Sequence, residues 1–184
     1  MLITQINKKI PNYLTILRII LIPILIISFY SEQNYLLVTS LIFIIAGLSD
    51  FLDGYLSRRF DAQSNFGKMM DPIADKLIVV TSLILILDVN IYIKIMAILI
   101  ILREVFVSGL REFLALQKIE MPVTQITKLK TANQFIAITL LLYSYNHPSS
   151  VIFLTGAGFL CVATILTVSS GIKYYYDAAK DEQL

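Results

Sequence analysis

The sequence predicts an all-α, polytopic membrane protein with six transmembrane helices and both termini in the cytoplasm. Hydrophobic residues make up 57% of the 184 residues and charged residues 15%, whereas soluble domains contain roughly 45–50% and about 25%. The hydrophobic residues also occur in long blocks, and a helix needs about 20 of them to cross the hydrocarbon core of a membrane. An ordinary soluble protein is therefore disfavoured, and a disordered chain is excluded.

Six apolar blocks give the predicted spans, and residues 1–184 are interpreted as one membrane domain. The first block is long for the apolar region of a removable signal and is not followed by a small-residue cleavage motif. Short polar breaks follow the first, third and fifth blocks, and two longer charged connections, Leu56–Asp71 and Glu112–Lys130, follow the second and fourth. The predicted spans are Tyr13–Tyr30, Tyr35–Tyr55, Pro72–Val89, Tyr92–Phe113, Thr131–Tyr145 and Ser150–Tyr174.

The distribution of basic residues orients the predicted bundle. All of the Lys and Arg residues except Lys94 fall at the termini, in the two long connections or at the adjoining ends of the spans. The positive-inside rule makes that side cytoplasmic. We therefore expect a multi-pass protein of a bacterial-type inner membrane, with its active site facing the cytoplasm.

Four aspartates lie where the second predicted span ends and the third begins. Asp50 and Asp53 are three residues apart and Asp71 and Asp75 are four apart, so each pair shares a helix face. Carboxylates near lipid lose hydration and repel one another, and such groups are usually functional. Oxygen ligands without His or Cys favour Mg²⁺ or Mn²⁺ over Zn²⁺, and two such ions clamp a phosphoryl centre in known sites. Taken singly, each aspartate also fits a cap or a surface charge, and Asp71 before Pro72 would make a good N-cap.

Small and basic residues accompany these aspartates. Gly54 follows Asp53 directly, and Gly67 lies one turn before Asp71. Glycine permits a ligand or another backbone to approach closely. Arg58 has the chemistry to bind a pyrophosphate through two hydrogen bonds.

Together these residues resemble the signature of the CDP-alcohol phosphotransferases. The signature in this sequence reads Asp50-x-x-Asp53-Gly54-x-x-Ser57-Arg58, then eight residues, then Gly67-x-x-x-Asp71-x-x-x-Asp75. Every spacing fits, and one position departs, because the family usually has Ala where this chain has Ser57. The six-span layout, with the signature across the second and third spans, also resembles the family over essentially the whole chain.

The resemblance implies an integral membrane transferase that takes a CDP-linked lipid and a hydroxyl acceptor and releases CMP. It implies that Asp50, Asp53 and Asp71 hold two Mg²⁺ or Mn²⁺ ions. Asp75 would contact a metal and accept the proton of the attacking hydroxyl.

The resemblance also implies a nucleotide pocket and a set of partners. Gly54, Ser57, Arg58 and Gly67 would line the pocket for the CDP-lipid. Membrane lipids and a second copy of the chain, in a homodimer, are further implied partners, and no nucleic-acid partner is expected.

Three further segments resemble family members whose acceptor is sn-glycerol 3-phosphate. These segments are Ile10–Arg18 together with Pro23, Leu102–Arg111 and Thr127–Thr131. The implied reaction joins CDP-diacylglycerol to glycerol 3-phosphate and yields phosphatidylglycerophosphate and CMP.

Four cations near the cytoplasmic ends of the fourth and fifth spans are candidate ligands of the acceptor. They are Arg103, Arg111, Lys128 and Lys130. A phosphate-bearing acceptor would need such a cluster and a neutral one would not. The same residues also fit lipid headgroup binding and the positive-inside rule, so both interpretations stay open at this point. Glu104 is interpreted as the ion-pair partner of a basic neighbour.

Three other functions remain as alternatives. A sibling transferase would use serine, inositol phosphate or phosphatidylglycerol as acceptor. A divalent-cation channel or transporter would use the acidic cluster as its selectivity site, but the aspartates lie near one face of the predicted bundle and no pair of broken helices is evident. A structural membrane scaffold would make no use of the aspartates.

Overall fold

The computed structural model describes residues 10–31, 36–60, 65–117 and 125–181, with side chains described for residues 13–31, 36–50, 52, 70–117 and 128–178. This part of the chain contains six helices and no strand, which confirms the predicted all-α class. The helices are α1 (Ile10–Tyr30), α2 (Leu36–Phe60), α3 (Asn65–Leu85), α4 (Ile91–Leu116), α5 (Gln125–Tyr143) and α6 (Val151–Asp181).

Several helices extend beyond the apolar blocks from which they were predicted. α2 continues past Tyr55 to Phe60, and α3 begins at Asn65 and not at Pro72. Lys, Arg, Gln and Met are good helix formers, so helical structure persists where hydrophobicity stops. Asp71 consequently lies inside α3, and its interpretation as an N-cap is wrong.

Two helices in the described part of the chain are long and apolar enough to cross a membrane. The qualifying segments are Tyr13–Tyr30 in α1 and Val151–Ala178 in α6, and Leu36–Asp50 in α2 is a shorter apolar stretch. Of the remaining helices, α2, α3 and α4 carry charged residues inside their predicted spans, such as Asp75 in α3 and Arg103 in α4. The six-span topology therefore stays a prediction.

The chain forms two compact units, residues 1–85 and residues 86–184. In the first unit, α1 packs against both α2 and α3. Leu25, Phe43 and Ala46 are buried in its core. Ser28 and Thr39 add a buried hydroxyl–hydroxyl hydrogen bond of 2.8 Å between α1 and α2. Because α1 contacts both neighbours, a side chain on its inward face is able to reach residues of both.

In the second unit, α6 packs against both α4 and α5. Side chains cap two of the helices: the Asn90 side chain accepts from the N–H of Ile93 at 2.9 Å, and Ser150 Oγ accepts from the N–H of Phe153 at 3.2 Å. At the contact of α6 with α5, a Cβ on Gly156 would lie 3.0 Å from Leu140 Cβ. Glycine at this position therefore permits the close approach of the two helices.

Candidate active site

Arg18 of α1 gathers three of the four predicted aspartates. Its side chain is fully buried, and Nη1 lies 3.0 Å from Asp50 Oδ1 of α2. Nη2 lies 3.6 Å from Asp71 Oδ1 of α3, and Nη1 also donates to Asp75 Oδ1. A buried guanidinium is costly unless it is paired and hydrogen-bonded. Arg18 finds its partners on both neighbouring helices, and we call Asp50, Asp71 and Asp75 around Arg18 the acidic cluster.

Thr15 fixes one of these carboxylates from the same helix. It lies one turn before Arg18 on the same face of α1 and is fully buried. Its hydroxyl donates to Asp71 Oδ1. Asp71 is therefore held by two side chains of α1, and Asp50 is held to α1 by its ion pair with Arg18.

The donor chemistry of the acidic cluster fits a divalent cation. The carboxylates are partly exposed, with 47% of the Asp50 side chain, 25% of Asp71 and 41% of Asp75 accessible. Counted with Arg18 alone, three carboxylates leave a formal charge of −2, and oxygen donors are the ligands that Mg²⁺ prefers. Among the described side chains, no three carboxylates, histidines or cysteines are grouped so as to hold a metal ion. The fit of the acidic cluster to a divalent cation thus rests on its oxygen donors, its negative charge and the solvent accessibility of its carboxylates.

The other residues of the predicted signature have described backbones only. Asp53, Gly54, Ser57 and Arg58 lie in α2, and Gly67 lies in α3. Their side-chain positions fall outside the described part of the chain. Their predicted roles as metal ligand and nucleotide pocket stay predictions.

Glu104 organises a second charged site, in the unit formed by α4, α5 and α6. Its Oε1 accepts from Arg103 Nη1 at 3.1 Å and also from Lys130 Nζ of α5. These side chains are largely withdrawn from solvent, with 11% of Arg103, 17% of Glu104 and 5% of Lys130 accessible. The prediction that Glu104 pairs with a basic neighbour is confirmed, and the structure adds Lys130 as its second partner.

Helix α6 supplies further contacts to these cations. Arg103 Nη2 donates to Ser170 Oγ at 3.1 Å. Arg111 Nε donates to Tyr174 Oη at 3.4 Å, and its guanidinium carbon lies 5.6 Å from the centroid of the Tyr174 ring, within the range of a cation–π contact. We call Glu104 and its partners Arg103 and Lys130, together with Arg111 of the same unit, the basic cluster. Of the four predicted acceptor ligands, Arg111 and Lys128 are exposed, whereas Arg103 and Lys130 are paired inside the unit.

Comparison with known proteins places the chain in a family. The pattern of the CDP-alcohol phosphatidyltransferases matches residues 8–169. The chain belongs to the CDP-alcohol phosphatidyltransferase family. The matched residues include the whole acidic cluster and the whole basic cluster.

Individual relatives in this family resemble the chain over nearly its full length. A protein of Rickettsia felis is 41% identical over 93% of this chain and 96% of its own length, and one of Haemophilus influenzae is 41% identical over 90% and 91%. A protein of Pseudomonas fluorescens is 39% identical over 90% of this chain and 88% of its own length. Each is named CDP-diacylglycerol–glycerol-3-phosphate 3-phosphatidyltransferase.

Several residues at the two charged clusters were not predicted from the sequence as site residues. They are Arg18 and the residues that contact the clusters, namely Thr15, Ser170 and Tyr174. Arg18 carried a usable signal, because it is the one charged residue in the apolar block Tyr13–Tyr30 and a charge within a span needs a partner. The residues of α6 carried no comparable signal, since serine and tyrosine are ordinary in an apolar helix.

Proposed function

We propose that this protein transfers the phosphatidyl group of CDP-diacylglycerol to sn-glycerol 3-phosphate. The acceptor hydroxyl bonds to the phosphorus that carries the diacylglycerol, and the bond from that phosphorus to the CMP oxygen breaks. The products are phosphatidylglycerophosphate and CMP. The observation that carries this proposal is that a relative named for this reaction is 41% identical over 93% of the chain.

We assign donor activation to the aspartates of the first unit. Asp50, Asp53, Asp71 and Asp75 would hold two divalent ions, Mg²⁺ or Mn²⁺. When bound, these ions would neutralise the diphosphate and stabilise the charge on departing CMP. The partial exposure of three of these carboxylates and their excess over Arg18 in charge support the assignment.

Asp75 is the proposed proton acceptor. An alcohol is a weak nucleophile, so a carboxylate within reach must take its proton as the new bond forms. Asp75 is paired with Arg18, and Arg18 has two further carboxylate partners in Asp50 and Asp71. The guanidinium therefore stays neutralised if Asp75 turns towards the acceptor. Direct attack by the hydroxyl, without a covalent enzyme intermediate, is the simplest path.

Gly54, Ser57, Arg58 and Gly67 are proposed to line the pocket for the CDP-lipid. Their spacing around the aspartates supports this assignment. Arg58 would bind the diphosphate through two hydrogen bonds, and the two glycines would allow the nucleotide to approach the backbone.

The basic cluster is proposed to bind the phosphate of the acceptor. Counted with Glu104, its three cations leave a formal charge of +2, which complements a phosphate monoester of about −1.5 to −2 at neutral pH. Arg111 is the exposed cation of this cluster, and Lys128 is a further exposed cation of the same unit. The alternative ligand is a lipid headgroup phosphate. If the basic cluster bound a headgroup instead, it would not take part in binding soluble glycerol 3-phosphate during turnover.

We further propose that all six helices span a membrane. Exposed residues of α1 are large and apolar along one face, as at Ile20, Ile24 and Ile27. α4 repeats this with Ile95, Leu102 and Phe106 exposed, although it carries Arg103 and Glu104. Arg103 and Glu104 face the unit while these apolar residues face outwards, which is the arrangement that lipid requires.

The cellular setting follows from the same proposal. The excess of Lys and Arg on one predicted side supports a bacterial-type inner membrane with the active site facing the cytoplasm. A homodimer is proposed on the family resemblance alone.

A panel of acceptors tests the proposed reaction. Purified protein in detergent with CDP-diacylglycerol and Mg²⁺ receives glycerol 3-phosphate, serine or inositol in separate reactions, and CMP release is measured. We expect CMP only with glycerol 3-phosphate. Release with serine alone would overturn the assignment of the acceptor, and flux of Mg²⁺ into liposomes without any CMP would favour a transporter.

A further inference from the structure

Gly171 of α6 leaves the space in which the Arg103 side chain lies. A Cβ at position 171 would be 2.9 Å from Cγ of Arg103 and 3.2 Å from its Nε. The Cγ atom is near the backbone end of the side chain, so it moves aside only when the whole side chain changes its rotamer. By contrast, a Cβ on Gly158 of the same helix would meet nothing within 4 Å.

Glu104 determines where the two buried cations place their charges. Arg103 and Lys130 come from different helices, α4 and α5, and both donate to the same oxygen, Oε1 of Glu104. Ser170 of α6 holds the second terminal nitrogen of Arg103. The three helices of this unit are thus joined through one arginine and one carboxylate.

We propose that Glu104 and Gly171 are positioning residues for the phosphate of the acceptor. Glu104 ties the charged ends of Arg103 and Lys130 together, and Gly171 admits the Arg103 side chain against α6. This inference rests on the proposed function, in which the basic cluster binds that phosphate. Neither residue needs to touch the acceptor, because each acts through the cations it places.

Replacement of Gly171 by Ala tests the space beside Arg103. Alanine is a better helix former than glycine, so weakened binding in Gly171→Ala would not reflect a weaker helix. Loss of one well-placed charge-assisted contact corresponds to a rise of about tenfold in KM for glycerol 3-phosphate. We expect that rise, with kcat changed by no more than about twofold and KM for CDP-diacylglycerol unchanged. Gly158→Ala is the matched control and should behave as the unsubstituted protein.

Replacement of Glu104 by Gln distinguishes the role of Glu104 in placing the two cations from the effect of its negative charge. The two roles predict changes of opposite sign in KM for glycerol 3-phosphate. Glu104→Gln removes a negative charge beside the anion site, so electrostatics alone would lower KM for glycerol 3-phosphate. The neutral amide oxygen of Gln accepts more weakly from Arg103 and Lys130 than the carboxylate does, and its NH₂ group cannot accept. This loosening of the two cations would raise KM, and we expect a rise of about tenfold. Glu104→Asp keeps the charge on a shorter side chain and should recover part of the loss. A lower KM in Glu104→Gln, or an unchanged KM in Gly171→Ala, would overturn the proposal.

A binding measurement distinguishes failure of this inference from failure of the proposed function. Thermal unfolding of each purified variant is followed with glycerol 3-phosphate, inorganic phosphate or neutral glycerol, without CDP-lipid. We expect both phosphates to raise the midpoint for the unsubstituted protein and for Gly158→Ala, and to raise it less for Gly171→Ala and Glu104→Gln. Equal shifts in all four proteins contradict the positioning role even if turnover occurs. If the midpoint shifts differ among the variants as expected but glycerol 3-phosphate causes no CMP release, the proposed reaction is contradicted and the positioning role is supported.

Discussion

The two charged clusters have opposite net charges, and each contains a single residue of the minority charge. In the acidic cluster one cation, Arg18, lies among three carboxylates. In the basic cluster one carboxylate, Glu104, pairs with two cations, Arg103 and Lys130, and the third cation, Arg111, lies further along α4. The minority charge in each is the group that ties helices of its unit together. Counted over these groups, the acidic cluster keeps a formal charge of −2 and the basic cluster one of +2.

The clusters differ in which groups remain accessible. The three aspartates of the acidic cluster are all partly exposed while Arg18 is fully buried. In the basic cluster Arg103 and Lys130 are nearly buried, and Arg111 is the exposed cation. The acidic cluster therefore offers several groups directly to ligands, whereas the basic cluster offers one cation supported by two buried ones. The difference predicts that substitutions in the first affect turnover and substitutions in the second affect acceptor binding.

The largest expected effect is on turnover, from Asp75→Asn. Asparagine keeps the shape of the side chain but does not accept the proton of the attacking hydroxyl, and such acid–base roles contribute roughly 10²–10⁴-fold. We expect kcat for CMP release to fall by about 10³-fold while CDP-diacylglycerol binding remains measurable. Asp88→Asn is the control, since Asp88 is an exposed carboxylate that pairs with Lys94 at 3.3 Å outside both clusters. Near-normal turnover in Asp75→Asn would show that Asp75 is not the proton acceptor.

The next largest effect is on stability, from Arg18→Gln. Removal of one partner from a buried ion pair is destabilising by about 3–5 kcal/mol. Without Arg18 the Asp50, Asp71 and Asp75 carboxylates repel one another, but they are partly exposed and solvent screens this repulsion, so we expect the lower end of that range. The unfolding midpoint in detergent without divalent ions should fall on the order of 10 °C. Added Mg²⁺ should restore part of the loss if these aspartates bind it.

The matched control for Arg18 is Lys94→Gln. Lys94 makes an exposed ion pair with Asp88, and exposed pairs contribute about 0–1 kcal/mol. If Arg18→Gln and Lys94→Gln shift the midpoint by the same amount, Arg18 does not hold the acidic cluster together.

The smallest effect is expected from Thr15→Val. Valine keeps the volume of threonine but loses the hydroxyl that donates to Asp71, and hydrogen bonds to charged groups contribute about 1.5–3 kcal/mol. We expect a fall of about 2 kcal/mol in the free energy of unfolding, measured by denaturant titration in detergent. Thr155→Val is the control, because the Thr155 hydroxyl is exposed and donates to the carbonyl of Val151 in its own helix. A larger loss in Thr155→Val than in Thr15→Val would refute the role of Thr15.

Much of the helical layout was predictable because it depends on local hydrophobicity. The six apolar blocks located the six helices, and the spacing of Asp50, Asp71 and Asp75 indicated a shared site. Helix ends were not predictable to the same degree, as in α3, where Lys68, Met69 and Met70 are good helix formers that lie before the apolar block.

Contacts between distant helices were the part that the sequence did not reveal. Arg18 and Asp75 are 57 residues apart in sequence, and no local pattern connects them. Gly171 matters only because Arg103 lies against it, and the sequence contains no feature that pairs the two. Three-dimensional packing was needed to show which minority charge holds each cluster together.

The acidic cluster is proposed to act in turnover and the basic cluster to bind the acceptor. A comparison of the kinetics of Arg111→Gln and Asp75→Asn tests this assignment most directly. CMP release is measured while glycerol 3-phosphate and CDP-diacylglycerol are each titrated against a saturating amount of the other. We predict that Arg111→Gln raises KM for glycerol 3-phosphate by about tenfold with kcat within about threefold, whereas Asp75→Asn lowers kcat. The opposite pattern, with kcat lost in Arg111→Gln and KM alone raised in Asp75→Asn, would contradict the account.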